Sequence, residues 1–556
     1  MANRSRVTSD FSTGFSTPAH HRSLAALLTR HIAPMRVLWT AALALCAVTM
    51  TSAAPAPISS LKLAFHVKRS SMLVHGYSDF DVFVNPIVSA GNSDGTRTVS
   101  FEGTTTFVQD GVRHTYVLVD GVPYHTVETP TGESTTSCIP TGQFPPVHTV
   151  LDAIADATSV SNVDTTQEIT CPHGQFLKAT FAGEDFVLCT ASGAGGAFKA
   201  FGEDVEVEFQ YLQQPVMIST PARAPTNCAK IAEGGAVPLQ EASVGLLWGT
   251  PHSTFSRSLR QAAQSVSLAN SSCACKGTPK PCIFFHGMDV KEDGGLVDDS
   301  TFFGDIKKHA PCCSSFKFAL MNTVDHAWTD DALQQKTCEY ALSMSPKSSP
   351  ATRTIEDTII VAHSMGNLQL AGAVATGKCF LGETAQWVDL SGPLKGSMGS
   401  DLIRMVCDGG DVGKDILKTL GGLIGQCPGT ATRKSLVYDG GNYCNATQTA
   451  QYAAARSVHS KHVTASICGR SFAGLSSGEA VGLFFGGALI PHKSSENDGV
   501  VEFQSCIADL PAPLFKEDYA SPFYRAKLNH ADTTMHNGDA LFDKAQKPVK
   551  WFECLL

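Results

Sequence analysis

Apolar and polar residues along this 556-residue chain change rhythm once. From about residue 60 to 220 they alternate in short runs, the pattern of half-buried strands. “RTVSFEGTTTFVQDGVRHTYVLVDGVPYHTV” carries two Asp-Gly pairs, Asp110-Gly111 and Asp120-Gly121, each flanked by strand formers. Asp-Gly between strands predicts a tight hairpin, so this stretch reads as an antiparallel meander. “EDFVLCTA” and “EDVEVEFQYL” continue it, and “PVHTVLDAIADA” has helical spacing. A curved sheet wrapped on a helix is the expectation, and no cluster of His, Asp or Glu in it suggests chemistry.

“STPARAPTNCAKIAEGGAVP”, about 219 to 238, is rich in Pro, Ala and Gly and reads as a linker. Beyond about 240, short apolar runs alternate with helical segments: “PCIFFHG”, “SFKFALMNTV”, “DTIIVAHS”, “AQWVDLSG”, “AVGLFFGGALIP”. Uninterrupted apolar runs suit strands covered on both faces, and strand-helix alternation predicts an α/β domain with a mostly parallel sheet and helices on both faces. The expected organisation is a leader over 1–54, a β-rich α+β domain over 55–225 and the α/β domain over 226–556.

The leader is read from “MRVLWTAALALCAVTMTSAAPAP”, beginning at Met35: one Arg, an apolar stretch from Val37 to Val48, then small residues and prolines. That is the layout of a secretory signal peptide and is short for a membrane span. Seventeen cysteines follow Cys46, without paired CxxC spacing, which suits disulfides in an oxidising compartment better than zinc. The odd number leaves at least one unpaired within the chain. Asn270-Ser-Ser and Asn445-Ala-Thr are glycosylation sequons compatible with export. The charge, 42 Lys and Arg against 51 Asp and Glu, with basic residues scattered, argues against a nucleic-acid partner.

Chemistry is suggested by “EDTIIVAHSMGNLQLAGAVATG”. A nucleophile elbow needs a strand, a serine on a strained turn and a helix that starts at once, with small residues two before and two after the serine. Here the strand is Thr358 to Ala362, the serine is Ser364, and the small residues are Ala362 and Gly366. Oxyanion donors come from a loop after an earlier strand, and “PCIFFHGM” supplies one. The backbone N–H groups of Met288 and Met365 are the candidates, with His286 shaping the loop. Asp498, in “SSENDGVVEF”, and His530, in “AKLNHADTTMHNGD”, follow in the order acid then base. Asp389 is the rival acid, and His536 and His492 are rival bases.

In this order “FFHGM”, “VAHSMGN”, “LSGPLKGS”, “NDGVV” and “LNHADT” resemble the secreted lipases of the α/β-hydrolase superfamily, the bacterial true lipases above all. The resemblance spans about 280 to 540. It implies Ser364 as nucleophile, Asp498 as acid, His530 as base, and Met288 with Met365 as oxyanion donors. No cofactor is required. By the same resemblance Asp532, two residues after the histidine, stands where those lipases place a structural calcium ligand, though a second carboxylate ligand has no counterpart. Ala362 replaces the first glycine of G-x-S-x-G, and the Asp-to-His interval is longer. The segment “DLIRMVCDGGDVGKDILKTLGGLIGQCPG” has helical intervals and two cysteines, Cys407 and Cys427, that could close it into a lid over an acyl pocket, or it is a surface helix.

The expected function is therefore a secreted serine hydrolase of carboxylic esters, with a lipid or other ester as substrate and a transient lipid interface as partner. The alternatives are a catalytically inactive hydrolase fold used for binding, and an acyltransferase or amidase on the same three residues.

Overall fold

The structure, a computed structural model, describes residues 60–88, 96–165, 169–171, 174–191, 198–235, 237–238, 264–268, 271–408, 427, 429–475 and 489–556. The predicted leader, the sequon at Asn270, residues 409–426 and 428 of the candidate lid and residues 480–488 of the last apolar run lie outside these.

Twelve strands form the larger sheet: β1 (Leu61–Val67), β2 (Asp79–Val88), β3 (Val99–Gln109), β4 (Val112–Val119), β5 (Val122–Glu128), β6 (Ser134–Cys138), β7 (Thr158–Thr165), β8 (Gly174–Phe181), β9 (Glu184–Ala191), β10 (Phe198–Gly202), β11 (Val205–Tyr211) and β12 (Gln264–Leu268). Their order is β12-β7-β8-β9-β10-β11-β1-β2-β3-β4-β5-β6. Neighbours are antiparallel except β12, which joins β7 in parallel at the edge. The two Asp-Gly pairs make the turns of consecutive hairpins, pairing Gln109 with Val112 and Val119 with Val122. All four turn residues have positive φ, 51° and 80° at the first turn and 52° and 75° at the second. Asp and Gly tolerate that conformation, and its twist matches that of the strands. The predicted helix is short, α1 (Val150–Ala155), and its Leu151 packs against Val99.

The second sheet has seven strands: β13 (Lys280–Phe285), β14 (Gly295–Val297), β15 (Cys313–Leu320), β16 (Ile359–His363), β17 (Gln386–Leu390), β18 (Val463–Gly469) and β19 (Phe523–Ala526). They run in the order β14-β15-β13-β16-β17-β18-β19. Six are parallel, and β14 lies antiparallel on β15. Alternate residues of β13 and β16 feed two separate cores. Ile283, Phe285, Ile360 and Ala362 face one, and Cys282, Phe284, Ile359 and Val361 face the other. The longer helices around it are α2 (Asp331–Leu342), α3 (Met365–Ala375), α4 (Met398–Asp408), α5 (Ala446–His462) and α6 (Pro548–Leu555).

The expected fold class, an α/β-hydrolase domain of mostly parallel sheet with helices on both faces behind a smaller α+β domain, is overturned. The larger sheet of the described chain is antiparallel, the second sheet is mixed, and helices are few among the described residues. Apolar runs report burial on both faces of a strand, but not its direction, its partners or how much helix lies between strands.

Residues 57–556 form one unit, and the two sheets are joined by buried charge. Lys547 Nζ lies 2.6 Å from Asp204 and 2.6 Å from Glu184, and Lys550 Nζ contacts Glu203 at 2.7 Å and Asp204 at 2.8 Å. Arg69 donates to Glu553 at 2.7 Å, and His309 Nδ1 lies 3.1 Å from the same carboxylate. Phe542 inserts its ring among Phe65, Phe181 and Phe186 of the larger sheet.

Eight disulfides tie the chain: Cys138–Cys228, Cys171–Cys189, Cys273–Cys554, Cys275–Cys312, Cys282–Cys313, Cys338–Cys379, Cys407–Cys427 and Cys468–Cys506. Cys444 is left free. So many disulfides fit an oxidising compartment, and among the described residues no helix is long and apolar enough to cross a membrane.

Candidate active site

Ser364 sits between β16 and α3 with φ 53° and ψ −125°, a conformation that costs a non-glycine residue strain. Its N–H donates to Leu390 O at 2.8 Å, which ties the turn to β17. The crossing of strand and helix is tight: a Cβ on Gly366 would lie 2.9 Å from His286 O and 3.1 Å from Phe285 O. Asn367 braces the turn from within α3, donating to Ala362 O at 2.8 Å, while its Oδ1 accepts from Trp387 Nε1 at 3.0 Å.

Three of the residues proposed from sequence are joined by hydrogen bonds. Ser364 Oγ lies 2.9 Å from His530 Nε2, and His530 Nδ1 lies 2.7 Å from Asp498 Oδ2. The other oxygen of Asp498 accepts from the N–H groups of Val500 at 2.9 Å and Val501 at 2.7 Å. An oxygen held by two backbone donors cannot swing, so Oδ2 stays aimed at the imidazole. The carboxylate then selects the tautomer with the proton on Nδ1, leaving the Nε2 lone pair toward Ser364 Oγ. Gly469, at the end of β18, makes room: a Cβ there would come within 2.7 Å of Asp498 Cβ. His530 N–H donates back to Asp498 O at 2.9 Å, locking the two loops together.

The loop after β13 presses on the serine. A Cβ on Gly287 would lie 2.8 Å from Ser364 Cβ and 3.3 Å from its Oγ. Gly287 O accepts from His286 Nδ1 at 2.8 Å and from the buried Thr323 hydroxyl at 2.9 Å. In a trans peptide N–H points opposite to C=O, so anchoring that carbonyl turns the Met288 N–H the other way. Met365 opens α3, where the first N–H groups have no acceptor within the helix and the helix dipole favours negative charge.

His286 accepts from Met321 N–H at 3.1 Å through its second nitrogen, so both ring nitrogens serve the loop. Burial, against these two backbone hydrogen bonds, holds its imidazole below the usual range.

The rivals are engaged elsewhere. Asp389 is buried with His459 Nε2 at 2.9 Å, Ser466 Oγ at 3.0 Å and Gly392 N–H at 2.9 Å. His536 Nδ1 donates to Thr301 O, and His492 pairs with buried Glu502 at 2.8 Å. Asp532 lies under the histidine loop. Its Oδ2 accepts from Leu475 N–H at 2.7 Å and Asn529 N–H at 3.1 Å, and its Oδ1 from Asn537 Nδ2 at 3.0 Å. N–H donors surround both oxygens where a calcium ion needs oxygen ligands, so these residues do not fit that ion.

His363 is a contributor that motif reading passed over. It is buried, its Nε2 donates to His530 O at 3.1 Å, and its ring lies 4.8 Å from the His530 ring. Burial, then the neighbouring His530, holds it well below the usual histidine range, so it stays a neutral donor bracing the His530 backbone. Its position just before the serine was the available signal.

No known protein family and no curated protein matches this chain.

The structure also draws together three histidines in the region where the sequence suggests no such cluster. His75, His114 and His125 place one ring nitrogen each within 4.8 Å of one another. The signal was in the hairpin: a turn at Asp120-Gly121 pairs Tyr116 with His125, and His114 lies on the same face as Tyr116 by the two-residue repeat.

Proposed function

We propose that this chain is an exported serine hydrolase that cleaves carboxylic esters, lipid acyl esters in particular. The observation that carries the proposal is the unbroken chain Ser364 Oγ, His530, Asp498 at 2.9 Å and 2.7 Å, with the strained serine backbone at its head. Ser364 Oγ attacks the ester carbonyl carbon as His530 Nε2 takes its proton, and the carbonyl oxygen gains negative charge. The N–H groups of Met288 and Met365 are the donors for that charge. The C–O bond to the alcohol breaks, the alcohol leaves with the proton from His530, and Ser364 carries the acyl group. Water then attacks the acyl carbon, giving its proton to His530, which returns it to Ser364 Oγ as the acid leaves. Asp498 holds the imidazole through both halves and compensates its positive charge.

The lipid preference rests on the amphipathic α4 and on the Cys407–Cys427 disulfide, which ties its last turn to a residue 20 positions further along the chain. Export is supported by the eight disulfides and by the sequon at Asn445. That residue is exposed, and its side-chain oxygen caps α5, accepting from Gln448 N–H at 2.9 Å, which leaves the amide nitrogen to carry a glycan.

The test is hydrolysis of an ester series from acetyl to long-chain acyl, each below and above its solubility limit, by wild type and Ser364→Ala. The expected result is turnover lost in the variant and a rate that jumps at the lipid interface. Equal inactivity of both proteins across the series would sink the reading. It would bring forward an amidase, an acyltransferase or a binding protein.

A further inference from the structure

The three-histidine cluster of the larger sheet is separate from the serine site and has the chemistry of a metal centre. His114 stands on β4 and His125 on the adjacent β5, on the face that also carries Phe107 and Tyr116. His114 Nδ1 and His125 Nε2 lie 3.1 Å apart. His75 comes from a different place, the tight turn between Val74 and Tyr77, and reaches over the sheet so that its ring stacks on His114 with centroids 4.1 Å apart. Its φ of 50° and that of Gly76, 83°, are the left-handed pair this turn requires, so the backbone itself delivers the imidazole.

We propose that His75, His114 and His125 bind one divalent transition-metal ion of the zinc class through three neutral imidazoles.

Two nitrogens bound to one tetrahedral zinc at about 2.0–2.1 Å stand about 3.3 Å apart, close to the 3.1 Å already set between His114 and His125. All three ligand atoms fall within 4.8 Å, so a modest turn of the His75 ring closes the set. His75 Nδ1 faces Gln109 Oε1 at 3.0 Å. An amide oxygen only accepts, so Nδ1 carries the proton and Nε2 keeps its lone pair. This is the outer hydrogen bond that orients metal-bound histidines. Nε2 takes a hydrogen bond from Tyr116 OH at 2.8 Å, and Tyr116 stacks face to face on His125 with centroids 4.4 Å apart, which keeps Nε2 beside the other two rings.

Imidazole ligands without carboxylates suit zinc, copper or nickel over calcium or magnesium.

The test is equilibrium dialysis of the secreted protein against Zn²⁺ alone, with Co²⁺ absorption as a second readout, on wild type, His125→Gln and His75→Asn. His75→Asn keeps a residue type that tolerates positive φ and leaves the sheet intact, so it stands in should His125→Gln fold poorly. We expect one Zn²⁺ per wild-type chain, affinity at least about a hundredfold weaker in each variant, loss of the tetrahedral Co²⁺ bands, and unchanged ester hydrolysis. No Zn²⁺ uptake by wild type, or undiminished binding in either folded variant, overturns the site.

Discussion

Replacing Gly287 by alanine tests whether the serine site is held as tightly as its geometry implies. The new methyl would lie 2.8 Å from Ser364 Cβ and 3.3 Å from its Oγ, where ordinary contact begins at 3.4 Å. The gap must open by about 0.6 Å at the nearer atom. Neither wall yields easily. Ser364 is tied by its N–H to Leu390 O at 2.8 Å, and Gly287 by its carbonyl to Thr323 and His286. Gly287 is not among the residues with positive φ, so backbone strain adds nothing to this substitution. The displacement falls on the 2.9 Å bond between Ser364 Oγ and His530 Nε2. Overpacking of this kind costs about 1–3 kcal/mol of stability, and a misplacement approaching an ångström at a reacting atom costs about 10²-fold in rate. The assay is steady-state hydrolysis of a soluble short-chain ester with urea unfolding of the same preparation. Gly277→Ala, whose Cβ would meet nothing within 4 Å, is the control. A kcat within twofold of wild type for Gly287→Ala would refute the reasoning.

Asp498→Asn keeps the shape of the side chain but removes the acceptor that selects the His530 tautomer. A fall of about 10⁴-fold in kcat with an unchanged urea midpoint is expected, and a fall under tenfold would assign the carboxylate a structural role only. Glu553 is pulled upward by burial, but hydrogen bonds from His309, Cys273 N–H and Arg69 outweigh this and hold it at about 2, below its ordinary 4.5. Its contribution is complete above about pH 4.5 and is lost as the pH falls toward about 2, because the unfolded chain then binds the proton first. Glu553→Gln should cost about 3 kcal/mol at neutral pH by leaving Arg69 short of a partner, and the difference from wild type in urea unfolding should shrink below about pH 4.5. A difference independent of pH would contradict this.

Local rules carried the reading of the sequence a long way at particular places. Two Asp-Gly pairs specified two hairpins because few residues accept the left-handed turn, and the same register already implied that His114 and His125 share a face. The apolar runs at Ile283–Phe285 and Ile359–Ala362 marked buried strands, since a strand covered on both faces has no polar side to show. The small residues around Ser364 marked a turn where strand and helix backbones cross. Other features depended on contacts between distant segments. The edge strand Gly295–Val297 runs against its one neighbour, Val463–Gly469 mixes polar with apolar residues, and Phe523–Ala526 is only four residues long, so none stands out by periodicity. Whether Asp389 or Asp498 faces His530 was decided by Gly469, which opens space for one carboxylate, and by His459, which takes the other. Asp532 looked like a cation ligand by position, yet three N–H donors converge on it from segments up to 57 residues away. His75 joins the other two histidines from a turn 39 residues before His114. Sequence spacing carries the chemistry of a turn or a strand, where the partners are neighbours in the chain. Only packing decides which distant charge, donor or ring is brought opposite, because that choice is made by the shape of everything between them.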